Sequence, residues 1–349
     1  MRALVAMSGG VDSSVAAALM KTAGHDVIGV TLKLWSGPNG EAPTAGCCTV
    51  SDAEDARRVA AQLDIPYYVL DYTDEFRDGV VDRFVGDYTS GRTPNPCIEC
   101  NRTVKFDRLL SGLDDFGSEV LVTGHHARNL FEDGVWSLRR GADRAKDQSY
   151  VLSMLAQAEL SRTVFPVGEM TKAGVRSIAA KMGLRTASKP ESMDICFIGQ
   201  RDYRSFVRDT APEAFEPGPV VDADGTQMGR HEGIIGFTVG QRRGLGVAVG
   251  EPRFVVRIDP GTSTVVLGSR DDLEVAGVAL CQLTWTDGVP ASGQVMAQYR
   301  AHGEPVAATL HDDRLLFAAP QQAVAPGQTV ALYDDDRVLG GALIADTFR

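Results

Sequence analysis

The sequence predicts an α/β fold, in which a doubly wound, Rossmann-like parallel sheet is followed by a small central β-rich domain and a C-terminal β-barrel. Apolar runs of strand length alternate with helical patterns in the N-terminal half. After about Pro212 glycine and proline become frequent, and from about residue 275 strands and turns alternate. Because 349 residues exceed one ordinary core, we predict three domains, at 1–208, 209–273 and 274–349.

Each predicted element follows from its apolar pattern. Four apolar runs have the length of buried parallel strands: residues 2–7, 27–34, 67–72 and 119–126. Helical patterns cover residues 13–23, 52–63, 148–158 and 171–182. Val-rich and Ile-rich runs, GIIGFT at 233–238 among them, predict strands in the central domain. In sheets of this kind ligands bind beyond the carboxyl ends of the strands, so we expect the chemistry there.

Composition indicates an ordinary globular protein, with 44% apolar and 23% charged residues. No apolar run approaches the roughly 18 residues of a membrane span, and the N-terminal apolar stretch is too short for a signal peptide. We therefore expect a soluble, cytoplasmic protein without a membrane partner. Six cysteines in a reducing compartment are more typical of catalytic or metal-binding groups than of a disulfide framework.

The net charge of −11 argues against a protein that coats nucleic acid, but the charge is uneven. Residues 128–208 contain 14 Lys and Arg against 9 Asp and Glu. This segment is either a polyanion-binding surface or a set of solvated helix faces. Its basic residues form two groups: Arg139, Arg140, Arg144 and Lys146, and then Lys172, Arg176, Lys181, Arg185 and Lys189 at helical spacing.

The segment SGGVDSS, residues 8–14, has the features of a phosphate-binding loop. It lies between a predicted strand and a predicted helix, where glycines allow close approach and helix amides attract anions. Asp12 is a candidate Mg²⁺ ligand. The loop is neither GxxxxGK[ST] nor GxGxxG. Leu32 and Gly124 follow other predicted strands and are candidates for contacts with an adenosine.

The pair Cys97-x-x-Cys100 has three interpretations: a redox pair, half of a metal site, or a low-pKa nucleophile. A zinc site would need a second CxxC or a His pair at ligand spacing, and neither is present. Cys196, in DICFIG, is the remaining candidate partner, although a lone Cys between apolar residues is more often a small buried side chain. Cys47, Cys48 and Cys281 match no motif and are interpreted as structural.

These motifs resemble those of a known family. SGGVDSS resembles the PP-loop of ATP pyrophosphatases, which cleave ATP between the α and β phosphates. In order, SGGVDSS, TPNPCxxCNxxxKF, TGHHAR, KDQSYVL and DICFIG resemble the tRNA-specific 2-thiouridylases (MnmA family), and GQRRGLG at 240–246 and AQYRAHG at 297–303 extend the resemblance. The resemblance implies ATP-dependent 2-thiolation of the wobble uridine (U34) in tRNAs for Lys, Glu and Gln.

The resemblance also implies residue roles. Cys100 would be the nucleophile and Cys196 the persulfide carrier, and turnover would leave a Cys100–Cys196 disulfide. The implied ATP-binding residues are Ala6, Met7, Ser8, Gly9, Gly10, Val11, Asp12, Ser13, Leu32 and Gly124. Contacts to the target base are implied for Asn95, Pro96 and Cys97. Contacts to tRNA are implied for His125, Asp147, Gln148, Ser149, Tyr299, Arg300 and Gln328. With this resemblance, we predict that the basic segment 128–208 is a helical part of the first domain that binds tRNA.

Several alternatives remain open on the sequence. Many relatives have Asp where this chain has Cys97, so Cys97, Cys100 and Cys196 are also candidate ligands of a 4Fe–4S cluster. A different PP-loop ligase, which would not need two thiols, is a second hypothesis. An iron–sulfur or redox-sensing RNA-binding protein is a third. A persulfide donor, either a cysteine desulfurase or a sulfur-relay protein, is an expected partner of the first.

Overall fold

The computed structural model describes residues 1–36, 49–190, 195–198, 202–247 and 250–349. Its strands, in chain order, are β1 Arg2–Ala6, β2 Asp26–Lys33, β3 Tyr67–Asp71, β4 Val120–Val122, β5 Ala127–Glu132, β6 Val135–Arg140, β7 Thr163–Val164, β8 Gly218–Val221, β9 Gln227–His231, β10 Phe254–Asp259, β11 Thr264–Gly268, β12 Glu274–Trp285, β13 Gly293–Gln298, β14 Val306–His311, β15 Arg314–Gln322, β16 Thr329–Asp334 and β17 Arg337–Phe348.

The α-helices are α1 Val11–Thr22, α2 Val50–Gln62, α3 Thr73–Phe76, α4 Asp82–Thr89, α5 Pro96–Glu99, α6 Asp107–Ser111, α7 Gln157–Leu160, α8 Lys172–Lys181 and α9 Tyr203–Thr210. Two π-helical segments, Arg77–Val81 and Cys100–Phe106, join α3 to α4 and α5 to α6. Short 3₁₀ turns lie at Asp114–Phe116, Arg144–Lys146, Ser149–Leu152, Arg185–Ser188, Pro212–Ala214, Ile234–Gly236 and Asp271–Leu273. Within the described ranges, no helix has the length and apolar character to cross a membrane.

The N-terminal sheet is parallel, in the order β3-β2-β1-β4-β7, which confirms the predicted fold class. Helices α1, α2 and α8 cover one face, where Ala and Val side chains of α1 pack without exposed surface. The other face packs against a larger cluster that includes aromatic side chains of the helices between β3 and β4. The carboxyl ends of β1, β2 and β4 therefore open on one edge.

The predicted central and C-terminal domains are also present. The central sheet has the order β10-β11-β8-β9. Strands β12 to β17 form an antiparallel sheet that closes through the β12–β17 pair, which gives a six-stranded barrel. The hairpin β5–β6 leaves the N-terminal domain and adds to this barrel, with Arg139 opposite Arg337. Asp336 holds the junction because it pairs with Arg128 and Arg139.

Three secondary-structure predictions were wrong. Residues 128–140 form the β5–β6 hairpin and are not helical, because Asp133 and Gly134 both have positive φ and make the tight turn. The segment 148–158 is a 3₁₀ turn and a loop, and only its last two residues belong to a helix, the short α7. The run GIIGFT is a 3₁₀ turn rather than a strand, entered through Gly233 at φ 158°.

The barrel contacts the loop that precedes the CxxC pair. The Thr93 amide donates to the Pro326 carbonyl at 2.8 Å. A Cβ on Gly327 would lie 2.8 Å from the Arg92 Cβ, so the two backbones approach closely. The Tyr150 hydroxyl donates to the Thr329 carbonyl at 2.9 Å. The C-terminal domain thus fixes the position of the segment that leads into Cys97 and Cys100.

Candidate functional site

The SGGVDSS loop turns sharply against helix α2. Gly9 has φ +70°, and a Cβ there would lie 2.2 Å from the Asp52 carbonyl oxygen, so conformation and space both require glycine. The Ser13 hydroxyl accepts from the Ser8 amide and donates to the Gly10 carbonyl. Gly10, the N-cap of α1, has no side chain to bond the first helix amides. These amides are available to an anion.

A cavity of about 210 Å³, here called the strand-end pocket, lies at the carboxyl ends of β1, β2 and β4. Of the ten predicted ATP-binding residues, seven line it: Ala6, Met7, Ser8, Asp12, Ser13, Leu32 and Gly124. Leu32 and Leu34 form part of an apolar wall. A Cβ on Gly124 would meet the Ser13 amide nitrogen at 2.5 Å, so this glycine also lets the chain pack on the phosphate loop itself.

A second cavity of about 220 Å³, here called the lysine pocket, lies on the other side of Asp12. Three lysines line it, Lys146, Lys172 and Lys189, together with the predicted residues Gly10 and Val11. Ser8, Asp12 and Gln148 line both cavities, so the two adjoin. The strand-end pocket is largely apolar, whereas the lysine pocket is lined by charged side chains of both signs, the three lysines with Asp12 and Asp52. Gly9 faces α2 and lines neither cavity.

Each oxygen of the Asp12 carboxylate has a nitrogen partner. Its Oδ1 lies 3.1 Å from His126 Nε2, and its Oδ2 accepts from Lys172 Nζ at 2.7 Å. Burial opposes ionisation, but the hydrogen bonds from His126 and Lys172 outweigh it, so the pKa of Asp12 is lowered. The carboxylate therefore holds Lys172 beside the phosphate loop.

The residues present do not fit the predicted metal ligands. Protein-bound Mg²⁺ usually takes one or two carboxylates and completes its shell with water and substrate phosphates, but both oxygens of Asp12 are occupied by nitrogen partners. Among the described residues no group of three His, Cys, Asp or Glu side chains is placed to hold a metal. Cys97, Cys100 and Cys196 do not form such a group among the described residues; Cys47 and Cys48 lie outside the described residues.

Cys100 begins the π-helix Cys100–Phe106, a helix type that recurs at functional sites. The same π-helix carries Lys105, which lines the strand-end pocket. Asn101 is buried; its amide donates to the Val151 carbonyl at 3.0 Å, and its Oδ1 has no hydrogen-bond partner. One short helical segment thus connects the buried thiol with the nucleotide-sized cavity.

The segment 195–198 brings Cys196 to the same hydrophobic cluster that contains Cys100. Its neighbour Phe197 is only 5% exposed and anchors it. The Phe197 ring contacts four aromatic side chains at centroid distances between 5.1 and 6.1 Å: Trp35, Phe76, Phe84 and Phe206. Cys100 is buried in this cluster and Cys196 is partly buried against it.

Removal of the Phe197 ring tests whether this side chain anchors the segment 195–198 in the aromatic cluster. We expect Phe197→Ala to lower the free energy of unfolding by about 3 kcal/mol, because the cavity would lie in a packed aromatic cluster. Phe131→Ala is the matched control, since that ring is 61% exposed and its removal should cost less than about 0.5 kcal/mol. Urea denaturation of both variants measures the difference. Equal small losses would contradict the anchoring role.

His125 lies in the wall of the strand-end pocket, beside Lys105. Its Nδ1 is 2.8 Å from the Thr123 hydroxyl, and its ring packs near Phe106 and Phe165. Enclosure by these groups, and then the charge of Lys105, lower the pKa of His125 to about 3. His125 is therefore neutral near pH 7 and faces the predicted nucleotide site.

We expect His125 to stay neutral down to about pH 4. Its pKa lies below the value of 6.5 for an unfolded histidine, so the unfolded chain takes up this proton at a higher pH than the folded chain does. The contribution of His125 to the free energy of unfolding is therefore fully present above pH 6.5 and is lost as the pH falls toward 3. Long-range ¹H–¹⁵N spectra of the imidazoles measure this titration. A His125 midpoint near 6.5 would contradict the assignment.

The predicted tRNA residues 147–149 are mostly turned inward. The Asp147 carboxylate accepts from Arg140 Nε, the Gly141 amide and both the amide and hydroxyl of Ser149. Ser149 has no exposed surface. Gln148 is exposed and borders both cavities. Asp147 and Ser149 thus shape the loop that presents Gln148.

The remaining predicted tRNA residues lie in two places. Near Cys100, Pro96 is buried, and the Asn95 side chain bonds the Tyr150 hydroxyl. In the barrel, the Tyr299 hydroxyl bonds Gln321, and Arg300 donates to the Gln322 and Ala323 carbonyls. Gln328 follows Gly327, which packs on the loop before Asn95. The barrel residue Gln328 is therefore brought to the cysteine loop, which the sequence spacing did not predict.

The predicted basic stripe is largely used inside the protein. Lys172 pairs with Asp12, and Lys189 pairs with Asp52 and Asp55. Arg176 donates to two backbone carbonyls, those of Ala187 and Lys189. Of the stripe, Lys181 and Arg185 are exposed. A single helical tRNA-binding face over these five residues is wrong, because helix α8 ends at Lys181 and the chain then turns back onto α2.

Lys105 and His126 line the two cavities and were not predicted as site residues, and Lys172 and Lys189 were predicted only as members of the basic stripe. Two signals were available, since Lys105 belongs to the CNxxxKF motif and His126 to TGHH. The role of Lys172 had no local signal, because its partner lies 160 residues away.

Comparisons with known proteins agree with this arrangement. Family models described as tRNA methyl transferase HUP domain, tRNA methyl transferase PRC-barrel domain and aminomethyltransferase β-barrel domain match residues 1–200, 204–269 and 275–344. Proteins named tRNA-specific 2-thiouridylase MnmA from Chloroflexus aurantiacus, Herpetosiphon aurantiacus and Moorella thermoacetica are 48%, 47% and 46% identical to it, and each alignment covers 98% of both chains. These matches over nearly the whole length show that the chain belongs to the tRNA-specific 2-thiouridylase (MnmA) family.

Proposed function

We propose that this chain is an ATP-dependent tRNA sulfurtransferase that converts C2 of the wobble uridine, U34, to the thiocarbonyl in tRNAs for Lys, Glu and Gln. One observation carries the proposal: the π-helix that begins at Cys100 also lines the strand-end pocket through Lys105. A thiol and a nucleotide-sized cavity at the phosphate loop therefore share one rigid element. Family membership supports the same activity.

In the first step the uridine O2 attacks the α-phosphorus of ATP. The bond between the α-phosphorus and the bridging oxygen breaks, and pyrophosphate leaves. Lys146, Lys172 and Lys189 of the lysine pocket would donate hydrogen bonds to the leaving group as negative charge accumulates on it, with Lys172 and Lys189 shared with Asp12 and Asp52. The uridine C2 then carries an adenylate as its leaving group. ATP enters as its magnesium complex, as a substrate.

In the second step sulfur replaces the adenylate. The terminal sulfur of a persulfide on Cys196 bonds to C2, and AMP leaves with the former O2. The Cys100 thiolate then attacks Cys196 Sγ, the sulfur–sulfur bond breaks, and the thiocarbonyl product is released. The protein is left with a Cys100–Cys196 disulfide, which an external thiol must reduce with two electrons. A cysteine desulfurase or a sulfur-relay protein would supply the persulfide, and the tRNA substrate implies action in the cytoplasm.

The target base must leave its stack to reach the adenylate. We assign Asn95, Pro96 and Cys97 to this base because they precede Cys100 on the same loop. Gln148, at the border of the two cavities, and Gln328, beside the cysteine loop, are the predicted tRNA contacts best placed for the same nucleotide. Tyr299 and Arg300 would hold tRNA further along the barrel.

The test is a thiolation assay on unmodified tRNA with ATP, Mg²⁺ and a persulfide donor, using anaerobically purified protein with its iron content measured. We expect 2-thiouridine by nucleoside mass spectrometry and one pyrophosphate for each thiolated base, without iron. Thiolation by sulfide alone that depends on bound iron would instead support the iron–sulfur route. Pyrophosphate release without any 2-thiouridine would support a different PP-loop ligase.

A further inference from the structure

The central domain contains a cluster of arginines that the steps above do not use. Arg204 and Arg208, on helix α9, and Arg230, at the end of β9, line one cavity of about 240 Å³. An adjoining cavity of about 450 Å³ shares the loop 244–246 and is lined by Arg242 and Arg253. We call these five side chains the arginine face. It is cationic although the whole chain carries a net charge of −11.

The charges of the arginine face are only partly neutralised. The cavity linings contain two acidic residues, Glu232 and Glu251. Glu232 pairs with Arg208 at 3.3 Å, where both side chains are more than half exposed, and such pairs contribute little energy. Glu251 pairs with Arg253. Within the described part of the chain, the other three arginines, Arg204, Arg230 and Arg242, form no ion pair.

The backbone around the cavities is shaped for close approach. Gly244 and Gly246 both have φ +71°, so the loop they bound has no side chain at these two points. A Cβ on Gly244 would lie 4.0 Å from the Arg204 Nη1, an ordinary van der Waals distance. The Arg208 guanidinium lies 4.7 Å from the centre of the Phe215 ring, which holds its plane in position. Planar, fixed guanidinium groups beside open backbone are suited to phosphate oxygens.

The arginine face is rigidly connected to the sulfur-carrying segment. Tyr203 of α9 stacks on Tyr88 at 4.7 Å, and Phe206 of α9 packs on Phe197 at 5.1 Å. Cys196 is the residue before Phe197. A ligand held by Arg204 and Arg208 is thus fixed relative to the second cysteine.

We propose that the arginine face binds the phosphodiester backbone of the substrate tRNA, at a site separate from the pocket that receives the target base. This inference rests on the proposed function. Several arginines without carboxylate partners are distributed over two adjoining cavities, which suits a chain of phosphates better than a single small anion. Each phosphate contact contributes counterion release and therefore a salt-dependent affinity.

The test measures the affinity of unmodified tRNA by fluorescence anisotropy between 50 and 300 mM NaCl. For Arg204→Ala/Arg230→Ala we expect at least about a tenfold weaker Kd at 100 mM NaCl, and a slope of log K against log salt reduced by roughly two. The rate of thiolation at saturating tRNA, and the KM for ATP, should not change. Arg204→Lys/Arg230→Lys should recover part of the affinity. Arg314→Ala, an exposed arginine of the barrel, is the control and should bind tRNA as the unmodified protein does.

The outcomes separate the two proposals. If the unmodified protein thiolates tRNA but the double alanine variant binds tRNA with the same Kd and slope, the arginine face is not an RNA site. If inorganic phosphate or pyrophosphate binds at the arginine face and the double alanine variant binds tRNA normally, the face is a site for a free anion. Loss of donor-dependent thiolation at unchanged tRNA affinity would reassign it to the sulfur donor. If the unmodified protein does not bind or thiolate tRNA, the proposed function itself fails.

Discussion

Replacement of Cys100 or Cys196 by serine is expected to lower the rate of 2-thiouridine formation by about 10³-fold or more. The proposed sulfur transfer needs one thiolate to carry the sulfane sulfur and a second to release it, and a serine hydroxyl can do neither. Pyrophosphate release should persist in both variants, because the adenylation step uses the phosphate loop and not the thiols. Nucleoside mass spectrometry and a pyrophosphate assay measure the two steps separately.

Cys281→Ser is the matched control for this prediction. Cys281 lies in strand β12 of the barrel, is partly exposed and belongs to no element of the site. We expect its variant to thiolate at the unmodified rate. Cys97→Ser distinguishes the routes further: in the persulfide route it should retain a large part of the activity, whereas a cluster that needs three cysteine ligands would be lost. Normal thiolation by Cys196→Ser would eliminate the persulfide role of that residue.

Substitution of Gly9 by alanine should reduce ATP-dependent pyrophosphate release by about 10²-fold or more. The left-handed backbone alone costs a non-glycine residue about 1–2 kcal/mol. In addition, the new Cβ would lie 2.2 Å from the Asp52 carbonyl oxygen, and backbone cannot yield as a flexible side chain does. The loop must therefore move off α2, and a displacement of about 1 Å at a reacting centre is enough for such a loss.

Gly24→Ala separates collision from backbone strain. Gly24 also has positive φ, +83°, but a Cβ there meets no atom within 4 Å. We expect this variant to lose some stability and to keep its pyrophosphate release. Similar activity losses in both variants, measured at equal folded fraction, would mean that strain alone explains the effect and that the contact with α2 is unimportant.

The sequence alone predicted the fold class and seven residues that the structure places around the strand-end pocket. Both follow from local sequence patterns: apolar runs of strand length, a glycine loop between a strand and a helix, and the order of the cysteine motifs. Seven of ten predicted nucleotide contacts lie around one cavity because they follow adjacent strand ends of a parallel sheet. The hairpin at 127–140 was not predicted, although Asp133-Gly134 is a local turn signal, because the whole basic segment 128–208 was interpreted as helical.

Tertiary structure alone decided which charges remain for a ligand. Lys172 and Lys189 look like members of an open basic stripe, but residues 160 and 137 positions away, Asp12 and Asp52, take them up. Arg204 and Arg230 carry no motif, yet the fold places them together without carboxylate partners. Charge along a chain does not report pairing, because an ion pair depends on a distance of a few ångströms that only the folded chain sets. The phosphate loop and the thiols could thus be predicted from the sequence, whereas the distribution of charge between the site and the rest of the molecule could not.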